Sequence, residues 1–484
     1  MNRTQPLIHR HLTNGLLAFI TVAFASTAVA QQVEPESEPP PDSQQVSGNL
    51  GARLGVARLD EDWFLVVTPS LYLQIDGVAM TRDSPLFDEP QVHPLRFLFE
   101  APLFIRVGDQ RPTDDQPAFR REYWDEPSEY ARVVRWVEYG SPYDGIYLRG
   151  GELSNVRIGH RTIVDSYDNA VNSDHFQWGV HHNLNTRYGG LETFVDNVTD
   201  PDAMALRVYV RPWAFIDPQS SLRRLAAGFT LAGDQNAPRT LQLDGSDRYA
   251  RTQQGDPIVE RSQATGVLGW DIEYQLVASD RVSMTPYMDV NTHFAAGTGW
   301  HVGSFFGFGL TDTIVLDMRA EYRLLGRQYQ PAYIGRIYEI ERLSFLPLAG
   351  EQLAVPKLEF MLSQPEQRRN GYYAELGFNF GDLVYISAGW EDQTGGNNNA
   401  AWAQLRVPAL SIVQFGAYYV NTRFEGAAGL FDLDTALAVA EARVSPMPWL
   451  YLDGQIRRRW EIDNAGEYTA VNDWSVGAGV SFGF

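Results

Sequence analysis

The sequence predicts an all-β fold: a single transmembrane antiparallel β-barrel of about 18 strands, within a range of roughly 16–20. Three observations predict it. Long stretches alternate apolar and polar residues with period two, as a strand does when its two faces meet different surroundings. Tight turns alternate with long connections along the chain. Beyond the N-terminus no run approaches the roughly 18 apolar residues that a spanning helix needs, so a membrane crossing falls to strands.

The elements follow in chain order. Residues 1–30 carry Arg3 and Arg10, an apolar run over Leu16–Ala25 and the small-residue exit Ala28-Val-Ala30, the three parts of a secretory signal peptide. Its removal takes two of the 39 basic residues and none of the 60 acidic ones, leaving 37 against 60, a net charge of −23. Such acidity argues against nucleic acid as a partner, because neutralising phosphates takes Lys and Arg. The chain has no cysteine, which fits an oxidising compartment. Residues 31–48 are proline-rich and acidic and read as a disordered leader, so the barrel is expected over 49–484. Its N-terminal strands are Leu50–Arg58, Trp63–Ile75, Leu95–Arg106, Tyr130–Tyr139 and Ile146–Glu152, less regular than the rest, with Ser141-Pro-Tyr-Asp-Gly145 turning between the last two. From Phe176 onward about fifteen more follow. In the last of them Trp474, Val476, Ala478, Val480, Phe482 and Phe484 share one face, and Ser475, Gly477, Gly479, Ser481 and Gly483 the other.

Charge decides which face is wet. Ile314, Leu316, Met318, Ala320, Tyr322 and Leu324 alternate with Asp317, Arg319, Glu321 and Arg323. A soluble barrel with the charged row inside would desolvate each ion at several kcal/mol. With the apolar row against lipid and the charged row against a water-filled lumen, the conflict disappears, and closure leaves no sheet edge unpaired. The same logic assigns Arg207, Arg211, Asp271, Glu273, Glu375, Asp453, Arg457 and Arg459 to the lumen. These signs alternate, so the arginines read first as braces between neighbouring strands and second as a ladder for anions.

Residues 153–174 are too polar for lipid and too apolar for a fully solvated loop. They read as a segment folded into the lumen, with Arg157, His160, Arg161, Asp165 and Asp168 as constriction residues and the two arginines opposite the two aspartates; the alternative is an external loop packed on itself. Gln328–Arg368, with a helical stretch over Tyr333–Arg342, reads as an external loop and a docking surface. No zinc or calcium spacing occurs, and His181 and His182 point to opposite faces of a strand, so no metal and no cofactor are expected. Gly479-Val-Ser481-Phe-Gly483 matches G-x-S-x-G but lies within a strand and not at a strand-to-helix turn.

The signal peptide, the alternating strands, the asymmetric turns and the ending Val480-Ser-Phe-Gly-Phe484 together resemble the porin-type outer-membrane β-barrels of Gram-negative bacteria, over residues 49–484. The acidic third-loop motif of general porins is not identifiable. The resemblance implies an outer-membrane location, periplasmic short turns, contact with outer-membrane lipid and lipopolysaccharide, and recognition of Phe482 and Phe484 by the barrel-assembly machinery. The expected function is passive diffusion of small hydrophilic solutes. A scaffold barrel of an export or surface-interaction system is the alternative, and a barrel-embedded lipid hydrolase a minor one; no enzyme is expected.

Overall fold

The structure is a computed structural model. It describes residues 45–59, 62–108, 118–120, 124, 130–170, 177–244, 249–250, 257–279, 281–343, 355–381, 383–395, 399–410, 412–424, 426–431, 436–462 and 468–484; positions 59, 409–410, 423, 427–428, 459–462 and 468–470 are described by backbone alone. The expected signal peptide and most of the leader therefore lie outside the described residues.

One antiparallel sheet closes on itself where Val46–Leu59 pairs with Tyr468–Gly483 on one side and Asp62–Thr81 on the other. The 22 segments of that sheet make 20 staves, because Gln91–Glu100 with Leu103–Gly108 run along one stave and Val259–Tyr274 with Val277–Ala278 along another. The count is thus 20, the upper end of the expected range. The excess over 18 comes from the N-terminal part, where all five irregular candidates are staves. Their irregularity has local causes: a break at Ala101-Pro102, register shifts between Ile75 and Val78 and between Leu98 and Phe99, and strands of only 6 residues at Val134–Tyr139 and Ile146–Gly151. The first stave begins at Val46, inside the segment read as leader, because Val46 still has Ile75 as a ladder partner.

The sheet is inverted relative to a soluble protein. Met318, Tyr322, Leu324, Leu206, Val208, Leu376 and Ile456 are exposed, whereas Arg207, Arg319, Glu321, Arg323 and Arg457 are buried. Register carries this inversion around the wall: Met318 aligns with Phe306 and Leu376 on the outer face, and Arg319 with Phe305 and Glu375 on the inner one. Trp300, Tyr322 and Tyr372 mark the outer rim, and Trp449, Phe380, Phe482 and Phe484 the rim that holds both termini. Twenty strands spaced ~4.8 Å and tilted ~40° enclose a bore about 40 Å across at the backbone, more than wall side chains fill.

Two connections fill much of that bore. The hairpin Val156–Ile158 and Val164–Tyr167 pairs with itself, and its residues Leu153, Val156, Ile158, Ile163, Val164 and Tyr167 belong to a dry cluster. The same cluster takes in Tyr329, Tyr333, Ile334 and Tyr338 and, from the helix Lys357–Ser363, Leu358 and Met361. The described parts of Gln328–Arg368 therefore turn inward, contrary to the expected outward docking surface. Their apolar side chains have a dry partner inside the barrel, which water outside would not offer.

Candidate functional site: the filled lumen

The inward hairpin leaves the wall at Gly151 and returns at Gly179. Its ends are pinned together by the buried Asn169. Leu153 donates its amide to Asn169 Oδ1 at 2.7 Å, the Asn169 amide donates to Leu153 O at 3.2 Å, and Asn169 Nδ2 donates to Asp196 O at 2.9 Å. At the tip, Gly159 and Arg161 adopt left-handed φ values of 56° and 65°. Glycine suits the first, because an added Cβ would stand 3.0 Å from the Arg207 side chain at a left-handed φ, and the Gly159 amide donates to Glu192 at 2.6 Å. The hairpin docks edge-on against the second inward segment: Ala332 N donates to Thr162 O, Ile334 N to Ile163 O and Asp165 N to Ile334 O, at 2.8, 3.2 and 3.1 Å.

Polar side chains then tie this unit to the wall. His160 lies between two wall carboxylates, with Nδ1 2.6 Å from Asp289 and Nε2 2.7 Å from Glu273, and its ring stacks on Tyr287 at 4.3 Å. Thr162 donates to Asp289 at 2.5 Å and accepts from Asn291 at 2.9 Å. A water-sized cavity adjoins this contact, lined by Gly159, His160, Thr162, Asp271, Asp289 and Asn291. Arg161 reaches Glu375 at 3.1 Å, with Arg157 3.8 Å from the same carboxylate. Asp165 faces Arg319 at 3.5 Å. The hairpin arginines thus pair with a wall acid and the hairpin acid with a wall arginine; of the two aspartates read as standing opposite the arginines, Asp165 also feels the charges of Arg161 and Arg157, whereas Asp168 has Glu152, Arg149 and Arg457 as its charged neighbours. A tight hairpin projects neighbouring side chains outward, so each meets the wall sooner than its own strand partner.

From the second segment, Arg336 stacks 3.7 Å from the Trp402 ring centroid, Tyr338 donates to Asp234 at 2.8 Å, and Arg342 reaches Asp202 at 2.5 Å and Asp234 at 3.2 Å. Sequence reading did not find Arg336 and Arg342, although their aromatic and apolar neighbourhood in a long connection was a usable signal.

Wall residues assigned to the lumen mostly face it. Arg207 is held by Asp271 at 2.7 Å and Glu192 at 2.8 Å. Glu321 sits between Arg319, at 2.9 Å, and Arg323, and accepts from Tyr287 at 2.7 Å. Arg323 also reaches Glu391 at 2.8 Å, and Asp453 meets Arg53 at 2.8 Å. Arg457 is buried, and Asp317 is exposed to the wet part of the bore. Arg211 departs from expectation: it follows the strand Ala203–Val210 and contacts Asn185 at the rim. The Arg459 side chain lies outside the described residues. His181 is buried inward beside Tyr147, while His182 faces outward. Ser481 lies 3.4 Å from Asn49 within the closing strand, not on an exposed turn.

Protonation of the loop residues follows from their neighbours. Burial alone would favour a neutral His160, but the charge of Asp289 and hydrogen bonds to Asp289 and Glu273 outweigh it and hold its pKa up at about 10. Asp165 would be raised by burial, yet Arg336 and Arg319 bring it down to about 2. Burial pushes Asp168 up to about 7. Because the docked pKa of His160 exceeds the ~6.5 of a free imidazole, its contribution to docking is complete below that value and is lost as pH rises through about 10. Hairpin release, followed by fluorescence of a label on the tip or by open-pore current, is therefore expected between pH 7 and 11 in the native chain. His160→Gln is expected to abolish the step, and a step that survives it would sink the assignment.

No protein-family model and no curated protein sequence matches the chain. Among solved structures it is similar to OpdK of Pseudomonas aeruginosa, crystallised with vanillate, at 8% identity and TM-score 0.35 over 91% of this chain and 99% of that one. OccAB4 of Acinetobacter baumannii matches at 11% and 0.31 over 92% and 100%, and a Rhodopseudomonas blastica porin at 11% and 0.27 over 90% and 100%. At these scores the likeness is one of broad outline, and the closed sheet with its inverted faces stands on this chain's own residues. The chain is a closed, antiparallel β-barrel whose apolar side chains face outward and whose charged ones face its interior.

Proposed function

We propose that the protein is a constricted passive channel for small hydrophilic solutes, its eyelet bounded by the inward hairpin and by the wall that the hairpin leaves uncovered. The observation that carries this reading is the asymmetry of the filling. The hairpin's Arg157, His160, Arg161 and Asp165 pair with wall groups on the arc from Val259–Tyr274 to Arg369–Phe380, while Arg53, Asp453, Arg443, Arg96 and Glu100 on the far arc pair with other wall residues and remain partly exposed to the bore. Water in contact with fixed charges of both signs lowers the barrier for a hydrated solute, and width sets the cut-off. No cofactor enters this reading.

A second reading is favoured by one observation, the dry cluster inside the barrel, twenty buried residues among those described. A plugged scaffold would be held shut by such a cluster. Planar-bilayer recording of the purified chain separates the two. Discrete ionic steps support the channel, and silence at all voltages supports the scaffold. In the channel case, replacing Arg157 and Arg161 together by Ala frees Glu375 and is expected to raise conductance by roughly 1.5-fold or more and to shift preference toward cations. Unchanged current and selectivity would remove both arginines from the eyelet.

A further inference from the structure

At the rim that holds both termini, connections such as 187–188, 310–313 and 448–449 only reverse the chain. Residues 211–224 do more. Between Val210 and Leu225 they form two short helical turns, Pro212–Ile216 and Ser221–Arg224, packed on each other. The first is fixed in place: the Arg211 amide donates to Tyr188 O at 2.8 Å, the Arg211 guanidinium donates to Asn185 at 3.2 Å, and the Phe215 ring stacks on Tyr188 at 4.7 Å between centroids. Yet Phe215, Ile216 and Leu222 are 65%, 75% and 41% exposed. A single exposed apolar side chain needs no explanation, whereas several on one ordered connection mark a surface that meets something other than water.

That surface continues the outer wall. Val208 and Val210, on the strand that enters the connection, are exposed on the outer face, and across the ladder Val210 aligns with Ala227 and Ala227 with the exposed Ile272. Charge adds a second feature. In a chain of 39 basic and 60 acidic residues, this connection carries Arg211, Arg223 and Arg224 against Asp217. The wall arginines Arg207 and Arg319 are held by carboxylates. Among the described residues the exposed Arg223 guanidinium donates to Pro218 O at 3.0 Å, and neither it nor Arg224 has an acidic partner. At headgroup depth such a planar fork matches the free oxygens of a phosphodiester.

We infer that residues 211–224 form a headgroup-level anchor for the leaflet at this rim. Phe215, Ile216 and Leu222 enter the boundary between headgroups and acyl chains, and Arg223 and Arg224 clasp the phosphates of anionic phospholipids. Two observations select lipid as the occupant: the apolar side chains extend a wall that lipid already covers, and the free arginines complement phosphate.

The first test uses the folded full chain in nanodiscs of phosphatidylglycerol. Because the chain has no cysteine, Ile216→Cys, Asp312→Cys and Met318→Cys each take one fluorescent label, and iodide in the buffer quenches whichever labels water reaches. Met318 on the outer wall and the exposed Asp312 turn supply the protected and open references. The label at Ile216 is expected to be quenched roughly three-fold less than that at Asp312. Quenching equal to that at Asp312, with Met318 still protected, overturns the anchor and leaves the membrane barrel standing. Protection at Ile216 that disappears on dilution to one chain per disc assigns the surface to a second copy and overturns it too. The second test offers the purified chain equal amounts of phosphatidylglycerol and phosphatidylcholine in mild detergent and counts retained lipid by mass spectrometry. The native chain is expected to favour phosphatidylglycerol by roughly three-fold or more, and the double variant Arg223→Gln, Arg224→Gln to lose that preference, with heat-modifiable gel mobility showing that its barrel is folded. No preference in the native chain, or the same preference in the variant, overturns the phosphate clasp.

Discussion

Replacing residues 154–168 by a short Gly-Ser linker is expected to raise single-channel conductance several-fold, on the order of three-fold or more, and to admit larger solutes. The linker is feasible because Leu153 and Asn169 are already joined by backbone and side-chain hydrogen bonds, so a short bridge closes the gap without moving the wall. The effect is large for two reasons. Excision removes the hairpin's own volume, and it strips Ala332 and Ile334 of the backbone partners that hold the second inward segment. That segment then keeps its ties to Asp234 and Trp402 at one end and loses its dry neighbours at the other. Conductance scales with open cross-section, so a bore about 40 Å across at the backbone leaves ample room for the increase. Current unchanged from the native chain would mean that the hairpin lies off the ion path, and the channel reading would fall with it.

How much of this was legible in the sequence differs by element. The lipid-facing row Ile314, Leu316, Met318 and its charged counterpart were fully readable, because strand alternation is a local property and the sign of burial follows from the charges themselves. Residues 153–174 stood out for a similar reason: their composition suits neither lipid nor open water. Partners were another matter. His160 is isolated in sequence, and its two carboxylates lie 113 and 129 residues downstream on different staves. The pairing of Arg161 with Glu375 spans 214 residues. Charge alternation announces that acids and bases will meet across the lumen without saying which. The inward turn of Tyr329, Tyr333, Ile334 and Tyr338 had a signal, a cluster of large apolar side chains in a loop, but its counterpart is the hairpin face near Val164, more than a hundred residues earlier. A long apolar loop without a visible partner reads equally well as an exposed docking surface.

Glu321→Ala is expected to destabilise the barrel by about 3–5 kcal/mol, whereas Asp312→Ala should cost about 0–1 kcal/mol. The two acids differ in surroundings and not in kind. Glu321 has no exposed side-chain surface and lies between Arg319 and Arg323, with His301 at 3.0 Å and the Tyr287 hydroxyl donating at 2.7 Å. Removing it leaves two guanidinium groups desolvated, one still facing Glu391 and the other facing Asp165 at 3.5 Å. Asp312 meets Arg281 at 3.6 Å with both side chains in water, so the pair is screened and each ion is hydrated without the other. Urea unfolding in detergent micelles, followed by tryptophan fluorescence, gives the comparison through the shift in midpoint at constant slope. Glu321→Ala is also expected to undock the hairpin before the wall opens, because Glu321 and Tyr287 together fix the Arg319 side chain that Asp165 faces, and without Glu321 that side chain loses its fixed position. A protease-sensitive site between residues 155 and 168 at urea concentrations below the midpoint would report that order. Equal midpoint shifts for the two variants would show that water reaches Glu321, and the dry network around it would then not be what holds the two inward segments to the wall.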